Sequence, residues 1–289
     1  MTGVRDALGR TVRLGRPAQR IVSLVPSETL SVVELAGLER LVGRTDYCIE
    51  PAGDIEVLPS VGGTKGFDVD AVLALDPDLV LANKEENSRP LVTALIDRGV
   101  PVHVSFPRTV TESNDYLTSL CALLGLDDDD GLLQRCRALA SPDDAPGDPL
   151  PVCVPIWRDP WMTFDEHVFA SDMLRLCGAE NVFGDRTRRY PLAADLGKRA
   201  PLTDEQVAER DTRYPRIVLE EIAERGARAV LFPDEPYAFT ESDFAAFDDV
   251  DGSTSMHLEL VDGKDLFWYG TYVARGIPRL RDAIARIAC

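Results

Sequence analysis

The feature that most constrains the fold is an internal repeat in which a helix, a short turn and a strand recur. The first copy, VDAVLALDPDLVL, covers residues 69–81, and the second, LEEIAERGARAVL, covers residues 219–231. In each copy, apolar residues at helical spacing precede a short, continuous apolar run, which indicates a helix followed by a buried strand. The constant offset pairs Asp70 with Glu220, each beside the start of its helix. A repeat of this size predicts two similar lobes.

The remaining pattern extends the alternation of strands and helices to both halves of the chain. Short apolar runs such as RIVSLVP and VPVHVSF in the first half, and VCVPI in the second, read as strands between helical segments. After RIVSLVP, Ser27 is a plausible N-cap and Glu28 suits the positive end of the helix dipole. We therefore predict an α/β fold: two Rossmann-like lobes with mostly parallel sheets, bridged by a single helical segment, with a ligand cleft between the lobes.

A change in composition gives the expected domain boundaries. Residues 109–139 carry helix-period apolar residues without a strand, and SPDDAPGDPLP follows with four prolines in eleven residues. Such a Pro-rich stretch marks an exposed connection. The expected organisation is an N-terminal lobe at 1–108, a helical bridge and Pro-rich connection at 109–149, and a C-terminal lobe at 150–289.

Charge and composition narrow the function classes. The net charge of −18 argues against a nucleic-acid partner, because phosphate binding needs a basic face. No apolar run approaches the 18 or so residues of a membrane span. The first residues lack the apolar core of an export signal, so we expect a cytoplasmic location for the chain as given, and an extracytoplasmic one if such a signal is missing. The six cysteines occur singly, as free thiols do, and we expect a monomer.

The glycine-rich stretch SVGGTKGF, at residues 60–67, resembles a phosphate loop at first sight. A phosphate loop needs Lys directly after its last Gly, whereas here Lys65 precedes Gly66. No HExxH metal motif and no GxSxG nucleophile motif occurs either. We therefore predict no catalytic residues, no protein-ligated metal and no intrinsic cofactor, and we place Thr64 and Lys65 at the rim of the cleft.

Aromatic and basic residues on predicted loops are the candidate ligand contacts. Tyr and Trp beside a cleft suit a large, flat or amphipathic ligand, whereas the alternative for each is that it fills core under its loop. The aromatic candidates are Tyr47, Trp157, Trp161, Tyr214 and Trp268. Basic residues in the same loops could meet anionic groups of a ligand, or could be solvated surface charge; they are Lys65, Lys84 and Arg158.

Several blocks in order resemble the class III periplasmic substrate-binding proteins, the helical-backbone metal receptors of siderophore and vitamin B12 ABC importers. The blocks include RIVSLVPSETLSVVELAG, VGRTDYCIEP, SVGGTKGFDVDAVLALDPDLVLANKEEN and YPRIVLEEIAERGARAVLF. The resemblance runs from about Asp6 to the last helix and is nearest the cobalamin-binding branch. It implies two lobes joined by one long helix, which close little on binding, although here only about 128–139 is available for that helix.

The resemblance also implies roles for individual residues. Tyr47 matches a cleft aromatic of the cobalamin binders, Tyr214 matches a position where they carry Trp, and Met162 falls where an aromatic is expected. Thr64 occupies a position that is Trp in a relative, which leaves another corrinoid or a ferric siderophore open as the ligand. Asp70 and Glu220 match acidic residues that pair with Arg on the importer permease.

The function expected from the sequence is therefore non-catalytic capture of a metal chelate, corrinoid or ferric siderophore, for an ABC importer. Two alternatives stay open. The chain could be a cytoplasmic protein or enzyme that handles a corrinoid or metal cofactor on the same scaffold, or it could bind a metal ion directly.

Overall fold

The protein is described by a computed structural model that covers residues 2–127, 131–141, 148–208, 210–250 and 256–288. The chain divides into two compact units. The first comprises residues 1–139 and 268–274, and the second comprises residues 140–267 and 275–289. Among the described helices, none is both long enough and apolar enough to cross a membrane.

A four-stranded parallel sheet forms the centre of the first unit. Its strands are β3 (Ile21–Ser23), β4 (Leu41–Arg44), β5 (Leu79–Asn83) and β6 (Val102–Ser105). Their order across the sheet is β4-β3-β5-β6, and every pair is parallel. An antiparallel hairpin of β1 (Thr2–Arg5) and β2 (Thr11–Leu14) precedes the sheet. These strands are short apolar runs because helices cover both faces of a parallel sheet.

Helices pack on this sheet and bury its apolar side chains. They are α1 (Pro26–Ala36), α2 (Val69–Ala74), α3 (Arg89–Asp97), α4 (Val110–Leu124) and α5 (Gly131–Ala138). Val22, Val80 and Val104 of the strands meet Val72 and Leu95 of the helices in one fully or nearly fully buried cluster. Burial of that apolar surface stabilises the unit, at about 25 cal/mol for each Å² removed from water.

The start of α1 differs from the expectation. The helix begins at Pro26, with Val25 as its N-cap residue, so Ser27 lies inside the first turn and not at the cap. Proline suits this position because its missing N–H would have no partner in the first turn of a helix. The prediction of Ser27 as the N-cap is therefore wrong, by two residues.

The second unit repeats the arrangement of the first. Its strands are β7 (Leu150–Cys153), β8 (Ala179–Asn181), β9 (Ala229–Pro233) and β10 (His257–Val261). They are parallel and lie in the order β10-β9-β7-β8. If the strands of each sheet are numbered by their order along the chain, both sheets have the spatial order second, first, third, fourth. The helices are α6 (Phe169–Leu176), α7 (Leu192–Asp195), α8 (Asp204–Val207), α9 (Leu219–Glu224), α10 (Lys264–Phe267) and α11 (Val273–Ala288).

The repeat predicted from the sequence is present in the structure, where the two copies lie 150 residues apart along the chain. Helix α2 spans Val69–Ala74 and α9 spans Leu219–Glu224, while β5 spans Leu79–Asn83 and β9 spans Ala229–Pro233. The predicted fold class, two Rossmann-like α/β lobes with parallel sheets, is confirmed.

The division of the chain places the predicted bridge differently from the sequence-based boundaries. Residues 109–139 belong to the first unit, because α4 packs on β1 and α5 packs on α4. Residues 268–274 return to the first unit after the second sheet is complete. Positions 128–130 of the predicted bridge and 142–147 of the Pro-rich connection lie outside the described residues.

Candidate functional site

The topology of each sheet marks one place where a ligand site is easily built. In open parallel sheets, ligands bind beyond the carboxyl ends of the strands, where the chain reverses its direction of winding. That point lies between β3 and β5 in the first unit and between β7 and β9 in the second. The loops that follow these strands carry five of the ten ligand contacts predicted from the sequence, namely Lys84, Trp157, Arg158, Trp161 and Met162.

Four aromatic side chains meet beyond the carboxyl ends of β7 and β9, and we call Trp157, Trp161, Tyr237 and Phe239 the aromatic cluster. Trp157 lies edge-on to Tyr237, with ring centroids 5.5 Å apart, and Trp161 stacks on Phe239 at 5.8 Å. Tyr237 and Phe239 are themselves 4.6 Å apart. Trp157 is 46% exposed whereas Phe239 is buried, so the cluster has a packed base and an accessible aromatic top.

Arg158 lies over the ring of Trp161 but is committed to a protein partner. Its guanidinium donates to the buried carboxylate of Asp243 and lies 5.7 Å from the centroid of Trp161. The hydrogen bond from Arg158 to Asp243 raises the pKa of Arg158. Burial alone would raise the pKa of Asp243, but hydrogen bonds from the Thr240 backbone and from Arg158 outweigh it and lower that pKa. Arg158 therefore stabilises the aromatic cluster. A contact between Arg158 and the ligand stays a prediction.

Trp157, Met162 and Arg216 form a row of neighbouring positions across three backbone segments. Met162 pairs with Trp157 on one side and with Arg216 on the other, through antiparallel bridges. Backbone hydrogen bonds from Thr163 to Pro215 and from Ile217 to Trp161, both 3.0 Å, flank the second bridge. Side chains of directly opposed residues lie on one face, and they are closest in pairs of this type. The row therefore places the start of a basic side chain, Arg216, beside an apolar surface.

The remaining aromatic prediction for this unit, Tyr214, is half-buried and lies under the guanidinium of Arg213, 5.3 Å from its ring centroid. It precedes Arg216 by two residues on the segment that pairs with 161–165. Tyr214 thus lies near the row, and its contact with ligand stays a prediction.

In the first unit, the predicted residues Tyr47, Thr64, Lys65 and Lys84 lie on loops that touch one another. The ring of Tyr47 is 62% exposed and passes so close to Gly63 that a β-carbon there would lie 3.5 Å from Tyr47 Cε2. Asn87 Nδ2 donates to the Thr64 carbonyl at 3.0 Å, and Lys65 Nζ donates to the Glu85 carbonyl. Lys84 Nζ lies 5.2 Å from the ring centroid of Phe106. These contacts join the glycine-rich loop to the loop after β5.

Trp268 belongs to the first unit, whereas Trp157 and Trp161 belong to the second. It lies in the segment 268–274 of the first unit, is 6% exposed, and packs against Tyr272 with ring centroids 5.4 Å apart. A ligand role for Trp268 stays a prediction.

The two predicted docking acids occupy matching positions in the two units. Asp70 lies in the first turn of α2 and Glu220 in the first turn of α9. Both are exposed; the Asp70 side chain is 86% exposed and pairs with Arg98 at 3.1 Å.

A buried polar network inside the first unit was not expected from the sequence. Glu28 Oε1 contacts the hydroxyls of Ser105 and Tyr269, the latter at 2.6 Å, and these hydroxyls lie 2.9 Å apart. Asn83 Nδ2 donates to both hydroxyl oxygens, at 3.1 and 3.0 Å. Burial raises the pKa of Glu28 to about 8, against the hydrogen bonds from Ser105 and Tyr269.

The contacts of the two carboxyl oxygens explain why burial wins. Both hydroxyls donate to Glu28 Oε1, whereas Glu28 Oε2 is buried with no hydrogen-bond partner among the described residues. An ionised carboxylate is costly to bury when one of its oxygens lacks a donor, so the neutral, protonated form is favoured. Glu28 is therefore not a charge placed to suit a helix dipole.

The described residues hold no group of three or more His, Cys, Asp or Glu that could bind a metal ion. Their cysteines, Cys48, Cys121, Cys136, Cys153 and Cys177, are buried free thiols. Cys289 lies outside the described residues.

Sequence reasoning missed Tyr237, Phe239 and Arg216. Tyr237 and Phe239 follow β9, and the repeat could have pointed to them, because β5 is likewise followed by candidate residues. Arg216 had no such signal, since its place beside Met162 depends on a pairing between segments 54 residues apart in the chain.

The class of protein follows from comparison with known families. Residues 21–220 match the model of the periplasmic binding protein family, and the chain belongs to this family. Vitamin B12-binding proteins are among its relatives: that of Yersinia pestis (strain Pestoides F) is 27% identical over 208 residues, covering 70% of this chain and 69% of the relative. A protein of the same name from Yersinia pseudotuberculosis serotype O:3 (strain YPIII) is 28% identical over 180 residues, covering 60% of this chain and 63% of the relative.

Solved structures confirm the two-lobed α/β fold. The periplasmic heme-binding protein RhuT from Roseiflexus sp. RS-1 superposes with a TM-score of 0.71 at 16% identity, covering 94% of this chain and all of that chain. The periplasmic vitamin B12-binding protein BtuF of Vibrio cholerae gives 0.68 at 17% identity, covering 94% of this chain and 98% of that chain. These relatives are named as binding proteins, and the chain is a binding protein and not an enzyme.

Proposed function

We propose that this protein is the receptor that captures an intact metal chelate, corrinoid or ferric siderophore, and delivers it to an ABC importer. The observation that carries the proposal is the aromatic cluster beyond the carboxyl ends of β7 and β9, with Trp157 exposed above packed rings. Exposed aromatic area with polar neighbours suits a large, partly flat ligand. Exposed Tyr47 offers a second aromatic surface, in the first unit. The ligand cleft between the lobes stays a prediction.

The relatives support this choice of ligand class. The relatives and structural neighbours described above are named for vitamin B12 or heme, each a metal held in its own organic ring. A receptor of that kind needs no protein ligand set for a bare metal. Asp70 and Glu220 occupy the same helix position in the two units. Such a pair of acids suits contact with a basic permease surface. We propose that the protein acts as a monomer; its location in the cell stays a prediction.

Titration of the purified protein with cobalamin, cobinamide and several ferric siderophores, followed by Trp fluorescence, tests the proposal. We expect at least one chelate to bind with Kd below about 10 μM, a binding free energy of about −7 kcal/mol. If none does, the proposal fails.

Two matched variants assign the fluorescence signal. Trp157→Phe should remove much of the ligand-induced quenching, because Trp157 is the exposed member of the cluster. Trp268→Phe should leave the quenching intact, because the Trp268 ring is buried against Tyr272. Quenching that depends on Trp268 and not on Trp157 would place the ligand elsewhere.

A further inference from the structure

A basic stretch of the second unit stands out on a strongly acidic chain. Residues 186–216 carry eight Lys or Arg against five Asp or Glu, a local net charge of +3 within a chain of net charge −18. A local excess of this sign concentrates anions. Three arginines of this stretch, Arg186, Arg188 and Arg216, have guanidinium nitrogens that are buried without a hydrogen-bond acceptor among the described residues.

These three guanidiniums have few carboxylates available to them. Arg216 Nη1 lies 3.7 Å from Asp195 Oδ2, beyond hydrogen-bond distance, and Arg186 lies 3.4 Å from Glu221. Within the described part of the chain, Arg188 has no ion pair and lies instead over the ring of Tyr190, 4.7 Å from its centroid. Burial, and then the charge of Arg188, lower the pKa of Arg216. Positive charge is therefore in excess at this point.

Asp195 holds the backbone around these arginines in place. Its fully buried carboxylate accepts hydrogen bonds from the backbone N–H groups of Arg189 and Arg216, both at 2.8 Å. Its carbonyl accepts a hydrogen bond from Arg186 Nη2 at 2.9 Å. A carboxylate occupied by backbone donors leaves little capacity for the side chain of Arg216. The Arg186 side chain and the Arg216 backbone are thus fixed in advance, as a recognition site requires.

The row of Trp157, Met162 and Arg216 joins this excess charge to the candidate ligand surface. Because opposed residues of the two bridges share one face, the Arg216 side chain leaves the backbone beside Met162, and Met162 lies next to the exposed Trp157. Planar guanidinium groups bind carboxylates through two parallel hydrogen bonds.

We infer that the ligand of this receptor is an anionic metal chelate whose ionised carboxylates bind Arg216 and Arg188, while its apolar face covers Trp157 and Met162. The inference rests on the proposed function and narrows its ligand class to anionic chelates. A chelate with only amide side chains would leave the arginines unpartnered. Two sources share the ionised carboxylates, a tetrapyrrole with free carboxylates and a ferric polycarboxylate chelate, and the tetrapyrrole also offers the apolar face.

Probes that differ mainly in their carboxylates test the inference. Dicyanocobyrinic acid carries free carboxylates around a corrin ring, and dicyanocobinamide carries amides on the same ring; ferric citrate represents the second source. We expect wild type to bind at least one carboxylate probe at least tenfold more tightly than dicyanocobinamide. Arg216→Gln and Arg188→Gln should each reduce that ratio to below threefold, with thermal unfolding of each variant recorded to verify that it folds.

Arg175→Gln is the matched control, since it removes the same charge from an exposed arginine that pairs with Asp172 at 2.6 Å. It should leave the ratio unchanged. If ferric citrate binds with the same dependence on the two arginines and no corrinoid binds, the ligand is a ferric polycarboxylate chelate. Equal affinity of wild type for the carboxylate and amide corrinoids, with ferric citrate not bound, would overturn the inference while the proposed function stands. If neither these probes nor the wider chelate panel binds, both fail.

Discussion

At the scale of single residues, Glu28 shows how far burial can change the chemistry of a side chain. A carboxyl near the start of a helix is normally ionised, and the positive end of the helix dipole favours that state. Here burial keeps it neutral, against the hydrogen bonds that Ser105 and Tyr269 donate to its Oε1. The sequence could not predict this, because Tyr269 lies 241 residues away along the chain.

Glu28 should make the stability of the protein fall as pH rises. Its pKa is about 8 when folded and 4.5 when unfolded, so between these values the folded state holds a proton that the unfolded state has lost. The stabilisation is complete below pH 4.5 and lost as pH rises through 8. At about 1.36 kcal/mol for each pH unit, the loss is about 5 kcal/mol.

Denaturant unfolding at pH 5 and pH 8 measures this effect, with Glu28→Gln as the neutral comparison. Wild type should lose several kcal/mol more than Glu28→Gln between the two pH values. His103, whose pKa burial lowers to about 4, titrates in both proteins and cancels in the difference. The same pH dependence in both proteins would contradict a protonated Glu28.

At the scale of elements, the segment 268–274 is held in the first unit by close packing on α1. Gly270 has a positive φ of 76°, and a β-carbon on it would collide with Ser31 Oγ of α1. The Thr271 backbone N–H donates to Ser31 Oγ at 3.2 Å, and the Gly270 N–H donates to Ser113 Oγ at 2.8 Å. Both the backbone conformation and the lack of a side chain at Gly270 are therefore required.

Gly270→Ala should destabilise the first unit by more than backbone strain alone. Gly99→Ala is the control, since Gly99 has a φ of 81° in the same unit and open space around it. We expect about 1–2 kcal/mol for Gly99→Ala from the left-handed backbone, and about 1–3 kcal/mol more for Gly270→Ala from overpacking. Urea unfolding measures both. Equal costs would show that Gly270 is needed only for its backbone conformation.

The sequence-based predictions agreed best with the structure for the positions of helices and strands. The run RIVSLVP forms β3 at Ile21–Ser23, and the run VPVHVSF forms β6 at Val102–Ser105. Short apolar, β-branched runs between turn residues specify such strands locally. Trp157 and Trp161 could be found because they lie on a loop next to a predicted strand. The pairing of Met162 with Arg216 could not, because it depends on how two distant loops fold together.

At the scale of the whole molecule, the repeat gives each unit one exposed acid at the same helix position. If these acids contact a permease, changing Asp70 or Glu220 to Ala should reduce uptake of the chelate by cells that carry the importer, by about tenfold for the double variant, an effect of about 1.4 kcal/mol. Ligand affinity should not change. Labelled-chelate uptake and fluorescence titration measure the two quantities separately.

Asp185→Ala is the control for this experiment. Asp185 is an exposed carboxylate paired with Arg225 at 2.6 Å, as Asp70 is paired with Arg98, but it lies outside both repeat helices. Its loss should leave uptake unchanged. Uptake that survives the double variant, or falls equally with Asp185→Ala, would argue against a docking role for the matched acids.

The central claim, that the protein binds a metal chelate intact, is tested most directly by native mass spectrometry of the protein with a chelate that binds in the titrations. The account predicts one species with the mass of the chain plus one unaltered chelate, metal included. A chain that carries the metal without its chelator, or that releases a chemically changed chelate, would contradict it.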